Sequence, residues 1–232
     1  STLSEALACV PRVEMEWFLH HQNEFKNRRA RNESVSRLDH ASDPAPRTAI
    51  FATNFEQTGN IRCLDRGDLD SILKFGPECI AGPIETLLHL ARGVRRGRFA
   101  LPTIRHSIVV FSDLRGGLLP EGDRDSLWDA FRVPVFEQLR GLGAELLAAE
   151  CEAHNGLHLC ARDAVMEFDT SRHMPELLFT SLADLAQPCI RLATGWSPQI
   201  DDRICGCGSS RPRLMSLVAV EQACTLARAA AC

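Results

Sequence analysis

Between positions 48 and 136 the chain alternates short apolar, β-type runs with stretches of helical spacing, and this rhythm restricts the fold more than any other feature. Thr48-Ala49-Ile50-Phe51-Ala52-Thr53 reads as a buried strand, and Cys79-Ile80-Ala81-Gly82-Pro83 as a short strand ending in a turn. Residues 84–94 place Leu87, Leu88, Leu90 and Ala91 at helical spacing. Ser107-Ile108-Val109-Val110-Phe111-Ser112 is the clearest strand, residues 123–131 read as a helix with Asp123 as its N-cap, and Val133-Pro134-Val135-Phe136 reads as another strand. Strands separated by helices rather than tight turns return in the same direction. The expectation is an α/β fold: a mostly parallel sheet flanked by helices.

The rest of the chain reads differently. Residues 157–160, 164–168, 177–182 and 189–193 are short β-type runs at close intervals, which predicts a small antiparallel β-subdomain or barrel appended to the core. Residues 13–31 read as a helix with a basic end, residues 32–47 as a polar linker carrying Pro44 and Pro46, and the Ala-rich residues 218–231 as a helix. The organisation expected is therefore 1–47 N-terminal helix and linker, 48–150 α/β core, 151–217 β-subdomain, and 218–232 C-terminal helix.

The formal net charge of -4 gives no general attraction to nucleic acid or to an anionic membrane. No apolar run approaches the roughly 20 residues of a membrane helix, and the first residues lack the basic-then-apolar pattern of a secretion signal. A cytoplasmic location is expected. Ser1 either follows a removed initiator Met or begins a chain trimmed from something longer. Ten cysteines in such a chain point to metal binding or burial rather than to a disulfide framework.

Four residues carry the strongest chemical signal: Cys151, His158, Cys205 and Cys207. Cys205-Gly206-Cys207-Gly208 puts two thiols one residue apart, with glycines that let the backbone turn tightly. Cys151 and His158 bracket the turn His154-Asn155-Gly156-Leu157 between two strand signals, so a hairpin would bring both side chains to one end. Three thiolates and one imidazole form a closed, structural zinc set. His154 and Cys160 are rival ligands, and unconnected buried thiols are the plainer alternative.

These residues also carry a resemblance. Glu150-Cys151-Glu152-Ala153-His154-Asn155-Gly156-Leu157-His158-Leu159 resembles the Glu-Cys…Gly-Leu-His segment of the phenylacetate–CoA ligase branch of adenylate-forming (AMP-binding) enzymes. Residues 176–182, then Gln187-Pro188-Cys189-Ile190-Arg191, resemble the Glu-Leu-Val-x-Thr-x-Leu…Pro-x-Ile-Arg-Tyr stretch of that family, and Cys205-Gly206-Cys207-Gly208 follows at the matching distance. Residues 82–91 resemble the Pro-Ser-x-Leu-x-x-Leu-Ala helix start. Gly116-Gly117-Leu118-Leu119-Pro120-Glu121-Gly122-Asp123-Arg124 resembles the glycine-containing segment beside the adenine pocket. The order holds from about residue 48 to residue 214. The resemblance implies a structural zinc on Cys151, His158, Cys205 and Cys207. It also implies nucleotide contacts at Gly116, Gly117, Glu145 and Arg191, with Glu145 or its neighbour Ala144 at a magnesium-holding position, and ATP, AMP and Mg as candidate cofactors.

Departures from the family pattern are equally specific. No glycine- and hydroxyl-rich phosphate loop is present; Ser1-Thr2 and Ser209-Ser210 lie in the wrong places. Leu192 stands at the family's Tyr and Trp196 at its ribose-binding Asp, and an indole cannot accept two hydroxyl hydrogen bonds. Lys26 and Lys74 are the only lysines, so none follows the zinc motif. The expectation is a shortened, degenerate relative that binds a small carboxylic acid or acyl group, or supports a partner enzyme, without making acyl adenylates by itself. Two alternatives stand beside it. One is an ATP-dependent acid–thiol ligase completed by another chain or a longer parent. The other is a zinc-stabilised interaction module. A homodimer is left open.

Overall fold

The computed structural model describes residues 46–53, 55–141, 145–160, 164–169, 174–182 and 189–220. The expected helix at 13–31, its linker up to residue 45 and the segment from 221 onward lie outside them. Twelve strands run in chain order: β1 (Thr48–Ile50), β2 (Ile61–Cys63), β3 (Cys79–Pro83), β4 (Ser107–Asp113), β5 (Val135–Arg140), β6 (Leu146–Glu150), β7 (Leu157–Leu159), β8 (Ala164–Asp169), β9 (Glu176–Ser181), β10 (Leu192–Ala193), β11 (Trp196–Asp201) and β12 (Arg213–Ala219). Among the described residues three helices are interleaved with them: α1 (Leu69–Phe75), α2 (Ile84–Arg95) and α3 (Glu121–Phe131).

Nine strands form one sheet in the order β11-β12-β7-β6-β5-β4-β3-β1-β2. The β2-β1-β3-β4-β5 half is parallel, as the strand–helix rhythm predicts. From β5 outward every pairing is antiparallel. β8, β9 and β10 make a separate three-stranded antiparallel sheet. The α/β fold with a small antiparallel sheet is as expected. The residues after 150 divide, however: β7, β11 and β12 extend the main sheet rather than the small one. The boundary drawn at 150/151 thus falls inside one hydrogen-bonded sheet.

Helix positions follow from capping and burial. α2 follows β3 without a loop; Pro83 is its N-cap and has no N–H to leave unpaired. Its Leu87, Leu90 and Ala91 face pack with Ile80, Ile108, Val110 and Leu127 into the core on the helical side of the sheet. α1 is capped by Asp68, whose carboxylate accepts from Ser71 N at 3.0 Å. α3 begins at Glu121 after Pro120, not at an Asp123 N-cap. Asp123 sits in its first turn, where its charge suits the helix dipole. A second cluster, built on Leu139, Leu147, Leu157, Leu177, Phe179 and Leu214, joins the antiparallel half of the main sheet to the small sheet.

Val218 and Ala219 belong to β12, paired with Ser197 and Trp196, rather than to the start of a C-terminal helix. Among the described residues no helix is long and apolar enough to cross a membrane.

Candidate metal centre and neighbouring cavity

The β6–β7 hairpin turns through residues 151–156. His154 adopts φ 47 and Gly156 φ 77, both left-handed. A Cβ on Gly156 would lie 2.7 Å from Met215 Sδ and 2.9 Å from Leu214 O, so the turn can press against β12 only with glycine there. On the other side, β11 and β12 are joined by a tight loop in which Gly208 N donates to Cys205 O (2.9 Å) and Cys205 N to Ser209 O (2.9 Å).

These two loops bring Cys151, His158, Cys205 and Cys207 together, with all four ligand atoms within 4.8 Å of one another. Cys151 Sγ and Cys205 Sγ are 3.7 Å apart, and Cys207 Sγ is 3.4 Å from His158 Nε2. Tetrahedral bonds of about 2.3 Å to sulfur and about 2.0 Å to nitrogen would give S···S edges of about 3.8 Å and S···N edges of about 3.5 Å. Both distances therefore fit a four-coordinate ion. The Cys207 backbone N–H lowers the Cys205 thiol pKa below its ordinary value, while burial raises that of Cys151. His158 is 2% exposed, and its Nδ1 lies 3.2 Å from Arg211 O, which leaves Nε2 free to face the thiols.

The rival ligands are placed elsewhere. His154 Nδ1 bonds to Glu150 Oε1 at 3.0 Å, and its ring stacks on Phe136 with centroids 4.8 Å apart. Cys160 Sγ faces its own strand's backbone at His158 O.

Beside this centre lies an open cavity of about 700 Å³ between α3, the start of β5 and the β6–β7–β12 region. Gly116 and Gly117 line it, as does Trp196. Trp196 Nε1 donates to Leu114 O at 2.6 Å, and its ring lies 3.0 Å from where a Gly117 Cβ would stand. The cavity floor is a charged hub that the sequence did not reveal. Glu150 Oε2 accepts from Glu137 N (2.8 Å) and from Arg124 (3.1 Å), and Glu137 Oε1 accepts from Ser112 Oγ (2.6 Å) and Leu119 N (2.8 Å). Burial raises the Glu137 carboxyl above its usual range. Nothing in the spacing of these residues signals the hub, because it joins a helix to two strands.

The other two expected nucleotide residues do not reach this cavity. Glu145 is 4% exposed and accepts a hydrogen bond from Ser181 Oγ on β9. Arg191 donates through its N–H to Thr180 Oγ1 (3.0 Å) and pairs with Glu167 on β8. Both point to the small sheet.

No family model matches the chain, and no curated protein does. Solved structures do. A 2-hydroxyisobutyryl-CoA ligase, in complex with 2-HIB-AMP and CoA in the thioesterification state, superposes with TM-score 0.57 at 16% identity, covering 75% of this chain and 43% of that one. Its open conformation gives TM-score 0.52 over 67% of this chain and 36% of that one, again at 16% identity. Coronafacic acid ligase from Pectobacterium brasiliense gives TM-score 0.52 at 12% identity over 82% and 42%. The chain shares its fold with a part of these ligase structures. It spans about two fifths of the length of these neighbours.

Proposed function

We propose that this chain is a degenerate relative of adenylate-forming acyl- or aryl-CoA ligases, of the phenylacetate–CoA ligase type, that binds rather than activates and carries a structural zinc. The carrying observation is Trp196. Its indole is fixed on Gly117 and tethered to Leu114 O, at the position where the resemblance puts a ribose-binding Asp. An indole beside the glycine segment cannot accept hydrogen bonds from ribose hydroxyls as a carboxylate would. The cavity beside Trp196 is a candidate pocket for a small acid or acyl group, or for a segment of a partner enzyme.

Zinc is the ion we assign to Cys151, His158, Cys205 and Cys207. Three thiolates and an imidazole are a soft, tetrahedral donor set with no open position, which suits structure rather than catalysis. An ATP-dependent ligase completed by another chain or a longer parent chain is the second reading. It is favoured by the neighbours' length, of which this chain spans 36–43%.

Metal analysis of the purified protein, with thermal shifts in ATP, AMP and CoA, tests the proposal. The expected result is one zinc per chain and no shift with ATP or AMP. Pyrophosphate exchange with a broad panel of carboxylic acids, or a clear ATP-dependent shift, would overturn it in favour of the ligase.

A further inference from the structure

Arg213 is 2% exposed, and its guanidinium is among the largest fully buried side chains. Its partners are not scattered. NH1 donates to Asn155 O at 3.0 Å, inside the turn between Cys151 and His158. NH2 donates to Asp201 Oδ2 at 2.8 Å and lies 3.4 Å from Arg203 O, on the segment that leads into Cys205. Arg213 also stands opposite His158 in the β12–β7 register. One side chain therefore grips both loops that supply metal ligands. Arg203 also grips Asp201, through Nε to Oδ1 and NH2 to Oδ2 at 3.0 Å each, and its guanidinium keeps the carboxyl low, at about 2.

A buried guanidinium is costly, and a well-packed apolar residue of similar volume is often the more stable choice. Arg213 Nε has no hydrogen-bond partner among the described residues, which adds to that cost. What an apolar residue cannot do is fix the spacing of two loops. The planar fork can, because its NH1 and NH2 donors diverge at a fixed angle; an ammonium is a single point. Without an ion, three sulfurs and an imidazole at van der Waals range have little to hold them together.

We infer that Arg213 is a positioning residue for the metal centre, fixing the 151–158 turn and the 201–207 loop at binding separation before the ion arrives. This rests on the reading of Cys151, His158, Cys205 and Cys207 as a zinc site. Preorganisation of this kind raises affinity by lowering the ordering cost of binding. Its loss falls on the zinc-free protein, because bound zinc holds the loops in the variant as well.

The test is zinc affinity of the full chain, by competition with a chromogenic chelator, together with hydrogen exchange in the zinc-free and zinc-loaded states. Arg213→Met should weaken zinc binding by about 10–100-fold, the range for a group supporting the ligands from outside the coordination shell. Arg213→Lys should give a smaller loss. Exchange at residues 151–158 and 201–207 should speed up in the zinc-free variant and stay as in wild type once zinc is bound. If Arg213→Met does not fold, Asp201→Asn carries the test with an expected two- to tenfold loss, about one hydrogen bond's net worth. Equal loss of thermal stability with and without zinc, at unchanged affinity, would mark Arg213 as a general packing residue and end the inference. A wild-type chain that binds no zinc would end the zinc reading itself; normal wild-type binding with unaltered variants ends only the role of Arg213.

Discussion

Three glycines around the metal centre differ in what an added methyl group would meet, and alanine substitution should separate them. Gly156 has φ 77, and its Cβ would stand 2.7 Å from Met215 Sδ and 2.9 Å from Leu214 O. The left-handed backbone costs a non-glycine residue about 1–2 kcal/mol. Overpacking against a strand carbonyl that cannot swing aside adds about 1–3 kcal/mol. Gly156→Ala should therefore destabilise by about 2–5 kcal/mol. Gly208 has φ 84 but open space around it, so only the backbone penalty of about 1–2 kcal/mol applies. Gly206 is outside the left-handed region, and its Cβ would make an ordinary 3.6 Å contact with Ala153 Cβ. Gly206→Ala should be neutral or gain about 0.4–1 kcal/mol through the unfolded chain. Urea titrations of the three zinc-saturated variants, beside wild type, give the ordering. If Gly156→Ala and Gly206→Ala unfold within about 0.5 kcal/mol of each other, the hairpin does not press on β12 as described.

The remaining expectations concern the charged hub and the choice of histidine. Burial raises the Glu137 carboxyl above its ordinary value of 4.5, so the folded protein holds that proton to higher pH than the unfolded chain. Stability from this group is present below pH 4.5 and lost as pH rises through the folded value. Glu137→Gln should flatten that decline in thermal melts taken from pH 4.5 upward; an unchanged slope would show that Glu137 is not its source. His158→Ala should abolish stoichiometric zinc binding measured by chelator competition, whereas His154→Ala should leave the affinity within a fewfold of wild type. The reverse pattern would reassign the fourth ligand.

The sequence disclosed the chemistry of the metal cluster better than the architecture holding it. Cysteine spacing, flanking glycines and a turn between strand signals singled out the four residues that the structure brings together, because these are local features. Rivalry with His154 and Cys160 needed coordinates: His154 turns to Glu150 and Phe136, a choice made by residues 4 and 18 positions away. β6, Leu146-Leu147-Ala148-Ala149-Glu150, is held as a strand by β5 and β7 pairing with both its edges. Val218 and Ala219 looked helical and are strand by pairing with β11. Arg213 and the Arg124–Glu150–Glu137 hub were invisible, since each joins segments far apart in the chain.

The position of the metal cluster follows from a weakness in the sheet. β7 is three residues long, and it pairs with β12 at only two positions, Arg213 with His158 and Leu214 with Leu157. By contrast β4 and β5 pair at six, and β11 and β12 at six across a bulge. The β7–β12 seam is thus the point where the nine-stranded sheet would part most easily into a mixed half and an outlying β11–β12 ribbon. A two-stranded ribbon is marginal by itself. Cys151 and His158 lie on one side of that seam, and Cys205 and Cys207 on the other. Arg213 crosses it as well, from β12 to Asn155. An ion held by four protein ligands is a cross-link whose binding free energy becomes folding free energy, so it is worth most where backbone pairing is least. That places the cluster's contribution in keeping β11, and with it Trp196, against Gly117 and the cavity. The candidate metal cluster and Trp196 then lie at opposite ends of β11.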